Sequence, residues 1–152
     1  MHLSKFTDFA LRVLIYLASK PDGLSTIDEI STRYRVSKEH LRKIVHHLAR
    51  EGWIESRRGR GGGLCLARHP KNISVGAVVR GAEDSLALVE CFEPGRNSCQ
   101  ISGVCRLSGM LHEALDAFLT VLDGYTLHDI VAAEVSLFAR LGLPTPVEYA
   151  RA

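Results

Sequence analysis

A mainly α-helical chain with one small β-hairpin is what these 152 residues predict. Three observations carry that reading. Apolar residues recur every three or four positions in segment after segment, the pattern of helices buried along one side. A glycine- and arginine-rich stretch, "RRGRGGG", lies between two short β-prone runs, which makes it a hairpin turn. Finally, "RLSGMLHEALDAFLTVLD" carries an apolar stripe wider than a helix on a monomer's surface requires. Length and a hydrophobic content of 46% suit one compact domain, or a small domain with an oligomerisation arm.

In "MHLSKFTDFALRVLIYLASKPDG", Phe6, Ala10, Val13, Leu14 and Leu17 share one stripe, so the segment reads as an amphipathic first helix. Asp8 and Arg12 interrupt what would otherwise resemble a signal peptide's apolar core. No run approaches the roughly 18 to 20 apolar residues of a membrane span, and the chain is expected in the cytoplasm with no membrane partner. "KPDG" breaks the pattern. "STIDEISTRY" follows as a short helix, with Ser25 and Asp28 spaced as a capping box and Ile27 and Ile30 on its apolar side. After a turn around "RYRV" comes "SKEHLRKIVHHLAREG", with Ser37 as N-cap, Leu41, Ile44, Val45 and Leu48 as the buried stripe, and Gly52 as the stop. Trp53, Ile54 and Ser56 suit a strand, and Leu64 to Ala67 suit its returning partner.

Charge gives this series of elements a meaning. The net charge of +2 hides a strong asymmetry. Nine lysines and arginines stand against three acids between positions 33 and 60, whereas four stand against nine between 84 and 152. Two short helices joined by a tight turn, the second basic, outline a helix-turn-helix, and an arginine-tipped hairpin directly after it is a wing. On the second helix Ser37, Lys38, His40, Arg42 and Lys43 lie outside the apolar stripe, where hydroxyl, imidazole and cationic donors reach base edges and phosphates. In the wing, Arg57, Arg58 and Arg60 are the residues expected to track phosphates or enter a minor groove. A double-stranded DNA operator is the implied partner.

"NISVGAVVRGAED" is a further helix, with Val75, Val78 and Val79 apolar. A long helix then runs from Arg106 to Asp123, in which Leu107, Leu111, Ala114, Phe118 and Leu122 recur at steps of four and three, and Met110, Leu115 and Leu119 widen the stripe. A stripe of that width points to a homodimer, the state that pairs two recognition helices on a pseudo-palindromic site. "YTLHDIVAAE" is another short helix. The expected organisation is a winged helix-turn-helix over 1–83, a cysteine loop over 84–105, dimerisation helices over 106–133 and a tail over 134–152.

Cys91, Cys99 and Cys105 fall in one short segment rich in turn residues, spaced C-x7-C-x5-C. In a reducing compartment disulfides are disfavoured, so three thiols point to metal or redox chemistry. Zinc and iron-sulfur clusters both suit thiolates and both want four ligands. The spacing lacks the C-x2-C of a zinc knuckle and does not match ferredoxin spacings, so the residues alone leave zinc and cluster open. An enzyme is not expected. There is no Ser/His/Asp set and no paired carboxylates, and "GRGGG" lies between strands instead of before a helix, the wrong context for a phosphate-binding loop.

"LSKFTDFALRVLIYLA", "VSKEHLRKIVHHLAREGWIESRRGRGGGLCLA" and "VECFEPGRNSCQISGVCRL", in this order, resemble a family of winged-helix iron-sulfur regulators over about residues 1 to 133. Within it the likeness is to the nitric-oxide-sensing repressors, and the family also includes the cluster-status regulator IscR. The resemblance implies a homodimer whose iron-sulfur cluster is held by Cys91, Cys99 and Cys105 and is attacked by nitric oxide, releasing operator DNA. Where IscR has a ligating histidine three residues after the last cysteine, this chain has Ser108. The resemblance offers Asp8, from the partner subunit, as fourth ligand, and a carboxylate beside three thiolates suits a 4Fe–4S cubane better than a 2Fe–2S centre. Cys65, Glu90 and His112 are weaker candidates. Two other readings are a cluster-status sensor like IscR and a structural zinc protein that binds DNA constitutively.

Overall fold

The computed structural model describes residues 2–20, 23–93, 95–132 and 135–143. Helix α1, Lys5–Ala18, runs through the middle of the molecule. Ser4 caps it, its Oγ accepting from the Thr7 amide at 3.1 Å. Ala10, Val13, Leu14 and Leu17 are buried as their spacing predicts, but so are Tyr16 and Ala18. The burial exceeds one stripe because α1 is packed from several sides, by α3 (Lys38–Arg50), α4 (Val75–Ala82), α6 (Leu127–Ala132) and strand β2 (Gly63–Leu66). Tyr16 lies wholly in the core and its hydroxyl donates to Glu29 at 2.8 Å; burial first, then that carboxylate, pushes the phenol up to about 12.

Helix α2, Ile27–Tyr34, begins one residue later than the expected Ser25/Asp28 box. Thr26 Oγ1 accepts from the Glu29 amide at 3.1 Å and Glu29 Oε2 accepts from the Thr26 amide at 3.4 Å. Ser25 is committed elsewhere: it exchanges backbone hydrogen bonds with Leu64 at 2.9 and 2.7 Å, adding a short third rung to the hairpin. Arg35, with φ 53°, makes the left-handed turn that aims the chain into α3.

Helix α3 buries Leu41, Ile44, Val45 and Leu48. It ends where Gly52, at φ 71°, turns the chain so that the Trp53 amide donates to the Leu48 carbonyl at 3.0 Å. Strand β1, Ile54–Arg57, pairs antiparallel with β2, with Ile54 opposite Leu66 and Arg57 opposite Gly63. Leu64 and Cys65 are both buried, although they point to opposite faces of the hairpin.

Helix α4 is capped by Ser74. Its start is sewn to the far end of helix α5, Arg106–Asp123, by the Val75 amide donating to the Tyr125 carbonyl and the Leu127 amide to the Ile73 carbonyl, at 2.9 and 3.0 Å. Arg80 grips Asp123 with two hydrogen bonds of 2.6 and 2.5 Å. Helix α6, grouped by sequence with the dimerisation helices, instead buries Leu127 and Val131 in the same core as α1. Within the segment set apart as a tail, helix α7, Val135–Leu141, adds Phe138 and Leu141 to that core. The remaining tail, 144–152, lies outside the described residues. No helix among the described residues is long and apolar enough to cross a membrane.

Candidate nucleic-acid interface and cysteine loop

The buried row of α3 fixes what the helix offers outward. Ser37 is its N-cap, the hydroxyl accepting from the His40 amide at 3.2 Å. Lys38 pairs with Asp28 of α2 at 2.9 Å, Arg42 with Glu39 at 3.2 Å, and Lys43 is exposed. Both pairs are solvent-exposed, so each is worth at most about 1 kcal/mol and exchanges readily for a phosphate.

His40 is placed differently from the expectation. Its ring packs edge-on against Phe9 of α1 at 5.6 Å, and its Nε2 is buried with no hydrogen-bond partner. His47 packs the same way against Phe6, at 5.2 Å. The exposed face holds instead Glu39 and His46, which the sequence reading passed over. The signal was present: positions 39, 42, 43, 46 and 50 follow the helical repeat opposite Leu41, Ile44, Val45 and Leu48.

Arg57, Arg58 and Arg60 are all exposed, at and just beyond the end of β1. The tip turns through Gly59 and Gly61, at φ 105° and 83°, values that a side chain disfavours. Gly62 lies so close to the Arg57 carbonyl that a Cβ would collide with it. The turn is thus built from glycine so that three arginines can stand on a tight hairpin.

The cysteine loop is organised only locally. Cys91 sits in a 3-10 turn, Glu90–Phe92, and its thiol donates to Ser108 Oγ at 3.7 Å. The Cys99 amide is held by Asn97 Oδ1 at 3.0 Å. Cys105 is the N-cap of α5 and makes no side-chain cap bond. Phe92 stacks on His112, ring centres 3.6 Å apart, and His112 Nδ1 donates to the Ser108 carbonyl at 2.9 Å, so that imidazole is already engaged. Glu90 Oε2 accepts from the Ser98 hydroxyl at 3.0 Å.

All four cysteines are free thiols; Cys91, Cys99 and Cys105 are partly exposed, and Cys65 is buried on the other face of the hairpin from Leu64, with its sulfur 3.9 Å from the Glu55 carbonyl. Among the described residues no three His, Cys, Asp or Glu side chains converge to hold a metal ion. Asp8 is not brought to the loop within one chain; it faces solvent and receives two hydrogen bonds from Arg12, at 3.0 and 2.8 Å. The donor chemistry nonetheless fits a soft-metal centre: three unoxidised, partly exposed thiols on one turn-rich loop can supply three of the four ligands.

Helix α5 starts directly from this loop, and its apolar residues divide into two rows. Leu111, Leu115, Phe118, Leu119 and Leu122 turn toward the body of the molecule. Leu107, Met110, Ala114, Ala117 and Val121 are exposed, with Leu107, Met110 and Val121 at 59%, 59% and 60%. The outer row repeats at steps of three and four, a knobs-into-holes pattern without a partner in one chain. Leu107 and Ala114, read by sequence as part of one stripe with Leu111 and Phe118, belong to this outer row.

Known proteins match this architecture along nearly all of it. The Rrf2 family, described as iron-dependent transcriptional regulators, matches residues 3–133. The HTH-type transcriptional regulator NsrR of Halalkalibacterium halodurans is 48% identical over 144 residues, covering 94% of this chain and 99% of that one. NsrR of Bacillus subtilis is 49% identical over 132 residues, 86% and 90% of the two chains. Among solved structures, T. potens IscR superposes with a TM-score of 0.72 at 24% identity over 90% of this chain and 91% of that one, a likeness of fold. CymR, the global cysteine regulator of B. subtilis, superposes at 0.69 with 25% identity, covering 87% and 97%. The named relatives are transcriptional regulators, not enzymes.

Proposed function

We propose that this chain, which belongs to the Rrf2 family of transcriptional regulators, is a homodimeric, operator-binding repressor in the cytoplasm that responds to nitric oxide through an iron-sulfur cluster. The carrying observation is the joining of two devices: three free thiols on a loop that runs without a break into α5, and α5 pinned at its other end to the winged helix-turn-helix. Similarity to regulators named NsrR supports the same reading.

Cys91, Cys99 and Cys105 hold the cluster, and Asp8 of the second subunit is the fourth ligand. The bound cluster, best suited as 4Fe–4S, supplies iron that reacts with nitric oxide. Recruiting Asp8 requires breaking its ion pair with Arg12. That pair is exposed and four residues apart on a helix, so its loss costs only about 0.2–0.5 kcal/mol. Ligation would tie one subunit's α1, against which the recognition helix packs, to the other subunit's loop. Freeing the loop then lets the two recognition helices change their separation. A decisive shift between the two states needs about 5 kcal/mol of differential binding, within reach of ligand bonds to metal.

The test is the full-length protein purified without oxygen. Visible absorption with iron, sulfide and zinc analysis should show an iron-sulfur cluster, and DNA affinity should fall at least tenfold on addition of nitric oxide. Zinc in place of iron, or an affinity that nitric oxide leaves unchanged, overturns the reading.

A further inference from the structure

We infer that Glu39 is a base-reading residue of the recognition helix, accepting a hydrogen bond from the exocyclic amine of a cytosine while it braces Arg42 against the neighbouring guanine. This inference rests on the DNA-binding reading and adds to it a specificity determinant.

At about 100° per residue, the buried row Leu41, Ile44, Val45 and Leu48 defines one side of α3, and Glu39 lies opposite its centre with Lys43 and His46 about 30° to either side. Arg42 stands further round one side, whereas His40 and His47 roll toward α1, against Phe9 and Phe6. The line of α3 that reaches deepest into a groove is therefore headed by an acid. Between positions 33 and 60 there are only three acids. Glu51 is the C-cap of α3 and Glu55 lies in β1 opposite Cys65, so Glu39 alone stands in the helix's first turns.

An acid on that line needs a reason, because it faces phosphates that repel it. The helix dipole favours an acid in the first turn, but positions 38 or 40 would serve the dipole equally, so the dipole does not explain the outermost line. Tethering Arg42 explains part of the placement: Arg42 Nη1 donates to Glu39 Oε2 at 3.2 Å. That bond leaves Oε1 as an acceptor and the rest of the guanidinium as donors. Acceptor and donor fork side by side match the major-groove edges of cytosine, which offers its N4 amine, and guanine, which offers N7 and O6. With its side chain 74% exposed, Glu39 contributes nothing to the core that its replacement would damage.

The experiment is selection of bound sequences from a randomised duplex pool by the full-length, anaerobically purified chain, wild type against Glu39→Ala and Glu39→Gln. Anisotropy titrations on single-base operator variants then quantify the selected positions. Wild type should prefer cytosine at one position of each half-site, by about 5- to 150-fold over other bases. Glu39→Ala should lose that preference while keeping the others, and Glu39→Gln should move it toward adenine, which an amide pairs by donating and accepting. If both variants select the wild-type sequence unchanged, the role of Glu39 is overturned and DNA binding stands. If wild type selects no sequence, the DNA-binding reading falls with it.

Discussion

At Gly76 a hydrogen in place of a side chain decides how closely two helices meet. A Cβ there would land on the carboxylate and amide of Asp123, so α4 and the end of α5 can touch only at glycine. Gly76→Ala should destabilise the fold by about 1–3 kcal/mol, the range for forcing bulk into a packed contact, as read by urea unfolding. Beside it, Arg80 lowers the Asp123 carboxyl from its ordinary value through its hydrogen bonds. A carboxylate lowered on folding lends stability that is present above its unfolded pKa and lost as pH falls through its folded one. The melting-temperature advantage of wild type over Arg80→Gln should therefore be full at neutral pH and shrink as the pH drops below the ordinary carboxylate range. At this scale the sequence was legible for polar residues with local partners, such as the Ser37 cap. It was not legible for His40, whose inward turn depends on Phe9, a residue of another helix.

The wing and α3 are elements whose charge belongs to the whole surface instead of to any one side chain. Each phosphate contact releases counterions, so affinity for DNA carries a salt slope of about 0.9 per contact. Replacing Arg57, Arg58 and Arg60 together by alanine should reduce that slope by roughly 2 to 3, measured by titrating DNA at several salt concentrations. The melting temperature should barely move, because all three side chains are exposed. The hairpin could be read from "RRGRGGG" because turns with positive φ demand glycine, whereas its register, Ile54 opposite Leu66, is seen only in the structure. The short third rung at Ser25 could not, since nothing near Ser25 in sequence announces Leu64.

In the whole molecule α5 is the exception: one end is pinned to α4, while the loop end and an entire outer row face solvent. Met110→Asp puts a charge in that row without touching the core of one chain. Sedimentation should show a monomer that keeps its helix content, with operator affinity reduced roughly 100-fold or more as the second half-site is lost. A variant that stays dimeric would assign the subunit contact to another face. By itself the sequence determined helices α1 to α6, the basic wing, the three-thiol loop and the family, because periodicity, turn chemistry and ligand type are written in neighbouring residues. Tertiary structure alone decided that α1 is buried on several sides, that α6 and α7 join the core, and that α5 shows two apolar rows, one inward and one outward. The physical reason is that a helix's pattern states how much of its surface is apolar, whereas the number of elements packed around it decides which part is covered.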